Sequence, residues 1–281
     1  MKRSRTVDHA SVVPAVVPVL AGSNWTALSK KLRRSASDAK VEVSSTVALR
    51  GHGSTLPALK SDIISAAKSE ALLAARATVL GPFGMNAPTG EHARVLALDC
   101  EMVGVGPDGR RSALAQVVIV DWNGRILLNR YVRPAETVTD FRTHVSGVTS
   151  AHLRNAESLA SVQRDVSALL HGRILVGHGL ENDMTALLLS HPSAATRDTA
   201  KFQPFCWRAG PVGKWRASKL KNLADKHLQL SIQVQDAAHE PAEDARAALA
   251  LYKFYRREWE HGLIAKKVGK KVGGLLTKKN L

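Results

Sequence analysis

Apolar and polar positions alternate in two different rhythms along this chain. VLALDCEMV (95–103), LAQVVIVDW (114–122) and RILLNRYVRP (125–134) are short runs rich in aliphatic and β-branched residues, and Asn123-Gly124 between the last two is a hairpin-turn signal. They predict three strands in an antiparallel meander. From residue 157 the period becomes helical: 157–171 reads as an amphipathic helix, RILVGHG (173–179) as a short buried strand, and ENDMTALLLS as the opening of another helix. Two further helices are predicted at 218–229 and 241–259, with Pro241 suited to a first helical turn. Hairpin strands followed by alternating strand and helix predict an α/β domain whose mixed sheet is covered by helices.

The flanks lack this order. Residues 1 to about 56 are rich in Ser, Ala, Val and Lys/Arg without a sustained period, carry the basic cluster SKKLRRS at 29–35, and read as a flexible arm. Residues 57–80 hold helix formers with Leu59, Ile63, Ala66 and Ala67 at helical spacing, and Gly81, Pro82, Gly84, Pro88 and Gly90 then mark a linker. The last twenty residues have too little apolar content to fold independently. The expected organisation is a basic, largely disordered extension over 1–92 with a helix at 57–80, a folded domain over 93–261, and a flexible basic tail over 262–281.

Length and charge sharpen this picture. With 281 residues, 44% of them apolar, the chain can bury one good core with length to spare. Its net charge of +16 divides as +6 over residues 1–92, +4 over 93–261 and +6 over 262–281. Such an excess favours a polyanionic partner, because neutralised phosphates release counterions, although a targeting signal or general stickiness would leave the same mark. Cys100 and Cys206 form no CxxC pair, so neither a disulfide framework nor structural zinc is expected, and a reducing nuclear or cytosolic interior fits. No apolar run approaches the ~20 residues of a membrane helix. SVVPAVVPVLAG is broken by Pro14 and Pro18 and preceded by Asp8 and His9, which argues against a secretory signal. No membrane partner is expected.

Asp99 and Glu101 stand two apart in an apolar strand, so their carboxylates share one face. Burying two like charges is unfavourable unless hard divalent cations such as Mg²⁺ lie between them; the alternative is a strand end that reaches water or a basic neighbour. Asp183 falls near the first turn of a helix, where an acid alone would be an ordinary partner of the helix dipole. His239 precedes Asp244 by five positions, placing the imidazole in a loop and the carboxylate in the first turns of a long helix. A lone loop histidine is more often a solvated bystander.

Taken jointly and in order, the DxE pair, Asp183 and the HxxxxD element match the three motifs of the DEDDh exonucleases. DCEMVGVG, LAQVVIVDWNGRIL, FRTHVSGVTSAHL, ILVGHGLENDMTAL, RDTAKF and HEPAEDARAALALY, over roughly 93–260, resemble the RNA exonuclease 4 and interferon-stimulated exonuclease branch of that family. DCEMVG and RTHVSGVT are the most specific of these strings. Glu240 excludes the tyrosine subclass, which carries Tyr four residues before the last Asp.

The resemblance implies an RNase H-like fold with a mixed five-stranded sheet, and metal-dependent 3′-to-5′ release of nucleoside 5′-monophosphates from single-stranded RNA ends. Two Mg²⁺ ions, replaceable by Mn²⁺, would be held with Asp99 bridging both, Glu101 and Asp244 on the nucleophile side, and Asp183 supporting the second. His239 would be the general base. Met102 would pack near the terminal nucleotide, Arg142 near its sugar, and His178 would line the same pocket. Gln116 departs from a basic residue usual in the branch and reads as a surface or substrate-flanking change, while Asp198 reads as structural. The family further implies ribosomal RNA precursors as substrate and a nuclear, nucleolar location. Two other readings stay open: a DNA-directed DEDDh repair exonuclease, and a catalytically silent RNA-binding scaffold.

Overall fold

The computed structural model describes residues 56–277 apart from Met85, Ala209 and 234–237, with side chains outside 56–64 and 266–277. Apart from its last residue, the arm read over 1–56 lies outside the described residues. In chain order the elements are α1 (Leu56–Leu80), β1 (Val95–Val105), β2 (Arg111–Asp121), β3 (Ile126–Arg133), β4 (Val138–Asp140), α2 (Thr143–Ser146) and α3 (Ser150–Arg154). There follow β5 (Glu157–Ser158), α4 (Leu159–Leu170), β6 (Ile174–Gly177), α5 (Leu180–Ala186), β7 (Thr196–Asp198), β8 (Cys206–Trp207), β9 (Arg216–Ala217), α6 (Leu220–Leu223) with a π-turn Ala224–Leu228, and α7 (Pro241–Thr277).

The main sheet runs β5-β3-β2-β1-β6-β7, with β4 added beside β1. β1 to β3 form the expected antiparallel meander, whereas β6 and β7 join in parallel. The mixed sheet thus has seven strands where the resemblance implies five, β4 and β5 adding three and two residues at its margins. β7 was not anticipated as a strand: three residues are too few to show a period, and its pairing comes from β6.

Alternation along β1 divides the core. Val95 and Ala97 join Val118 and Val120 beneath α7, packing on Ala245, Ala248, Leu249 and Tyr252. Leu96, Leu98 and Cys100 join Val117 and Ile119 on the other face, against Val162, Val166 and Leu170 of α4 and Leu180 of α5. Helix α1 contributes Ala75 and Val79 to the α7 side. Lys253 of α7 fastens it, donating from Nζ to Thr78 Oγ1 at 2.7 Å and to the Trp122 carbonyl at 3.1 Å. Burial of that ammonium lowers its pKa to about 8.

Helix α7 extends to Thr277, through most of the segment read as a tail. Elongating an existing helix needs no new nucleus, so residues unable to fold alone can continue one. Among the described residues no helix is long and apolar enough to cross a membrane.

One edge of β1 is split. β6 pairs with it only over Val95–Ala97 and β4 only over Gly104–Val105. Gly104 sets the second pairing, because a Cβ there would lie 2.2 Å from the Gly109 carbonyl oxygen and 3.1 Å from Asp140 Cβ. Gly104→Ala is expected to lose roughly 1–3 kcal/mol by overpacking, seen as a lower urea midpoint at unchanged slope. An unaltered midpoint would show that the loop relaxes freely.

Candidate active site

The split edge of β1 carries Asp99 and Glu101, between the residues taken by β6 and those taken by β4. Glu101 is buried and Asp99 half-buried. α5 supplies Asp183 and the first turn of α7 supplies Asp244, both buried. Asp99, Glu101 and Asp244 line a cleft of about 430 Å³ together with His178, Lys219, Lys221, Gln233 and His239. Asp183 does not line it, but is close enough to raise the proton affinity of both Asp99 and Glu101. A larger cavity, about 880 Å³, is lined among others by Leu180, Met184, Phe202, Pro204 and Trp259 and holds none of the four carboxylates.

Burial and mutual repulsion make these acids unusual. Burial first, then Asp183, Asp244 and Glu101, hold Asp99 well above the ordinary carboxylate range. Burial, Asp244 and Asp183 push Glu101 to about 9. Burial lifts Asp183 to about 7, opposed by hydrogen bonds from the Cys100 thiol and from the backbone. Asp244 rises to about 6 through burial, opposed by Gln233, whose Nε2 donates to Oδ2 at 2.8 Å.

This donor set fits divalent cations. Four carboxylates offer hard oxygen ligands, and among the described residues Asp244 Oδ1 is buried without a hydrogen-bond partner, an orphan that a cation would satisfy. Among the described residues no three acidic, histidine or cysteine groups stand close enough to hold a metal ion as they are placed.

His239 reaches the cleft from the loop before α7, with Nδ1 3.5 Å from Asp244 Oδ2. Its backbone N–H donates to the Val145 carbonyl at 2.8 Å, so the RTHVSGVT turn around α2 anchors this loop. Burial, and then Lys221, lower its pKa, leaving the imidazole neutral near pH 7.

The remaining expected residues fall on two sides. His178 lines the carboxylate cleft, its Nδ1 2.9 Å from Thr199 Oγ1. Met102 and Arg142 instead line an adjoining cleft of about 810 Å³ that shares Glu101. The Arg142 guanidinium is already committed, donating to Ser112 Oγ at 2.9 Å and to the Gly109 carbonyl at 2.8 Å. Gln116 is not at the surface: it is buried, pairs in register with Glu101, and donates to Asn129 Oδ1 at 2.9 Å, because β2 lies inside the sheet. Asp198 caps backbone, with Oδ1 accepting from Gly179 and Ala200 amides at 2.8 and 2.9 Å.

Gln233, Cys100, Lys219 and Lys221 were not anticipated at the site. Only the two lysines had a sequence signal, their alternate spacing in SKLKNL, and that reads equally as a solvated helix face.

The raised carboxylates have a thermodynamic signature. Glu101 titrates near 9 when folded against 4.5 ordinarily, so its contribution to stability is full below about pH 4.5 and is lost as pH rises toward 9. In EDTA, Glu101→Gln is expected to be stabilised over the parent by on the order of 1–2 kcal/mol at pH 8 and by little at pH 5. Thermal melts at the two pH values check this; a pH-independent difference would show that Glu101 is not held protonated.

Comparison with known proteins agrees with this geometry. The exonuclease family model RNase_T matches residues 96–252. RNA exonuclease 4 of Aspergillus fumigatus is 48% identical over 174 residues, 62% of this chain and 54% of that protein. The human RNA exonuclease 4 is 48% identical over 167 residues, 59% of this chain and 38% of that protein, and that of Debaryomyces hansenii is 44% identical over 182 residues, 65% of each. The chain thus matches only about half the length of these relatives. Among solved structures, the Neurospora crassa Pan2 catalytic unit superposes with a TM-score of 0.52 at 24% identity, over 67% of this chain and 31% of that one. The Saccharomyces cerevisiae Pan2 pseudoubiquitin hydrolase–RNA exonuclease module in complex with AAGGAA RNA gives 0.51 at 27% identity, over 66% and 33%. The sheet and its flanking helices are an RNase H-like fold. With the matched region spanning β1, its carboxylate pair and the first turns of α7, the chain belongs to the RNase_T exonuclease family.

Proposed function

We propose that this chain is a divalent-metal-dependent 3′-to-5′ exoribonuclease releasing nucleoside 5′-monophosphates. The observation that carries the reading is the cluster of Asp99, Glu101, Asp183 and Asp244, with a buried oxygen of Asp244 that none of the described residues partners. The RNA exonuclease 4 relatives support RNA as substrate.

The four carboxylates would hold Mg²⁺, with Mn²⁺ as a substitute. When bound, the metal supplies Lewis acidity and neutralises charge on the phosphate. The chain's own groups do the rest. His239, neutral near pH 7 and turned with Nδ1 toward Asp244, keeps Nε2 free to take a proton from water as its oxygen attacks phosphorus. The bond from phosphorus to the 3′ oxygen of the preceding nucleotide breaks, and that oxygen takes a proton from solvent. Lys219 and Lys221, on the cleft wall, offset negative charge on the transferred phosphate. Met102 and Arg142 lie where a terminal nucleotide would enter beside Glu101.

The proposal extends to ribosomal RNA precursors in the nucleolus, supported by the family resemblance and by the basic excess of residues 1–92 and 262–281.

RNA labelled at its 5′ end, incubated with Mg²⁺, Mn²⁺ or EDTA, tests the reading. A metal-dependent ladder shortening from the 3′ end is expected, absent in Asp99→Ala and weaker on matched DNA. Faster turnover of DNA would make the enzyme a DNA-directed one, and binding without hydrolysis would make it a scaffold.

His239→Ala is expected to lower kcat by about 10²–10⁴-fold. In the parent, activity should rise with pH through a limb below 6.5, since the imidazole must be neutral and its pKa is lowered; that limb should vanish in the variant. A variant keeping the parental profile would remove His239 as the base.

A further inference from the structure

Between β7 and α6 the chain forms a two-stranded hairpin that the catalytic reading does not use. β8 and β9 pair Cys206 with Ala217 and Trp207 with Arg216. Arg216 lies 5.8 Å from the centre of the Trp207 ring, and Arg208 lies 5.0 Å from that of Trp215. Both indoles are large apolar surfaces left half in water, 48% and 52% exposed. The tip is also open, with Val212 fully exposed.

The base of the hairpin is firm. Phe205, directly before β8, is 2% exposed and packs edge-on to Phe202 and Tyr255. The two tryptophans therefore project from an anchored ribbon, and alternation sets them on its two faces.

Charge over this segment has one sign. Residues 207–221 contain Arg208, Lys214, Arg216, Lys219 and Lys221 and no acidic side chain. Among the described residues none of these five forms an ion pair. The last two line the carboxylate cleft, so the basic run leads along the chain from the hairpin to the cleft. Exposed aromatic rings interleaved with unpaired cations suit a single-stranded polyanion whose bases offer π-faces.

We propose that the hairpin Cys206–Ala217 is a stacking platform for the single-stranded segment of nucleic acid just upstream of the 3′ end being hydrolysed. This rests on the exonuclease reading for its direction, though not for binding itself. Trp215 is four residues from Lys219, at most about 14 Å of extended chain. At 3.4 Å per stacked nucleotide that is a span of about four nucleotides. A stacked trinucleotide, about 10 Å long, covers less of this span than a stacked 12-mer of about 41 Å.

The test uses the full chain and its Trp207→Ala/Trp215→Ala double variant, with uridine and mixed-sequence RNAs of three and twelve nucleotides. Binding is read first in EDTA by anisotropy of a labelled 12-mer, and hydrolysis of both lengths then follows in Mg²⁺. The variant is expected to bind the 12-mer at least ten-fold more weakly. Its preference in kcat/KM for the 12-mer over the 3-mer should shrink at least ten-fold, through KM rather than kcat. A companion Arg208→Gln/Arg216→Gln variant should weaken binding and flatten its salt dependence. Equal affinity of parent and tryptophan variant for the 12-mer, with matching far-ultraviolet circular dichroism and melting temperature, overturns the platform. If the parent binds through the tryptophans but hydrolyses nothing, the platform stands and the exonuclease reading fails. Should the variant prove unfolded, quenching of the parent's tryptophan fluorescence by the 12-mer but not the 3-mer upholds the platform, and absence of quenching overturns it.

Discussion

Repulsion among four carboxylates is the constraint around which this molecule is organised. A cleft of about 430 Å³ lined by three of them, with Asp183 close by, would spread apart on a soft scaffold. Here the four acids are rooted in three rigid parts: two on the central strand, one on a short helix under the sheet, one on the first turn of the longest helix. Packing on both faces of β1 resists the separation that the charges favour. Gln233 and the Cys100 thiol relieve part of the repulsion by donating to Asp244 and Asp183.

The opening at this place follows from strand pairing. β1 has a full partner on one side and two partial partners on the other, and the gap between them is where backbone alternation delivers Asp99 and Glu101. A strand paired along both edges would have buried the acids with no path for a phosphate. Crevices beside strand ends, where the connections diverge, recur as binding sites in α/β sheets for the same reason.

Much of the fold could be read from the chain because its long elements have strong periods. β1, β2 and β3 announce themselves by apolar runs and Asn123-Gly124, and α7 by its start at Pro241. What was hidden is what tertiary context creates. β7 is a strand because β6 is beside it, and the helix beyond residue 261 exists because α7 precedes it. Gln116 looked superficial because a lone polar residue carries no sign of how many strands flank it. At the site, the shared face of Asp99 and Glu101 followed from spacing alone. Asp183 and the His239–Asp244 pair gained meaning only from their order along the chain, and Gln233 meets Asp244 through a loop that no local pattern specifies.

The packing of α1 against α7 separates two kinds of boundary. Homology marks out residues 96–252, but the buried cluster that supports β1 reaches back to Ala75 and Val79 and forward to Trp259. Family likeness and folding thus partition this protein differently: the matched stretch is shorter than the physical object that keeps its carboxylates in register. A piece cut at the limits of that match would keep all four carboxylates and His239, yet present a raw apolar flank where two helical walls had stood.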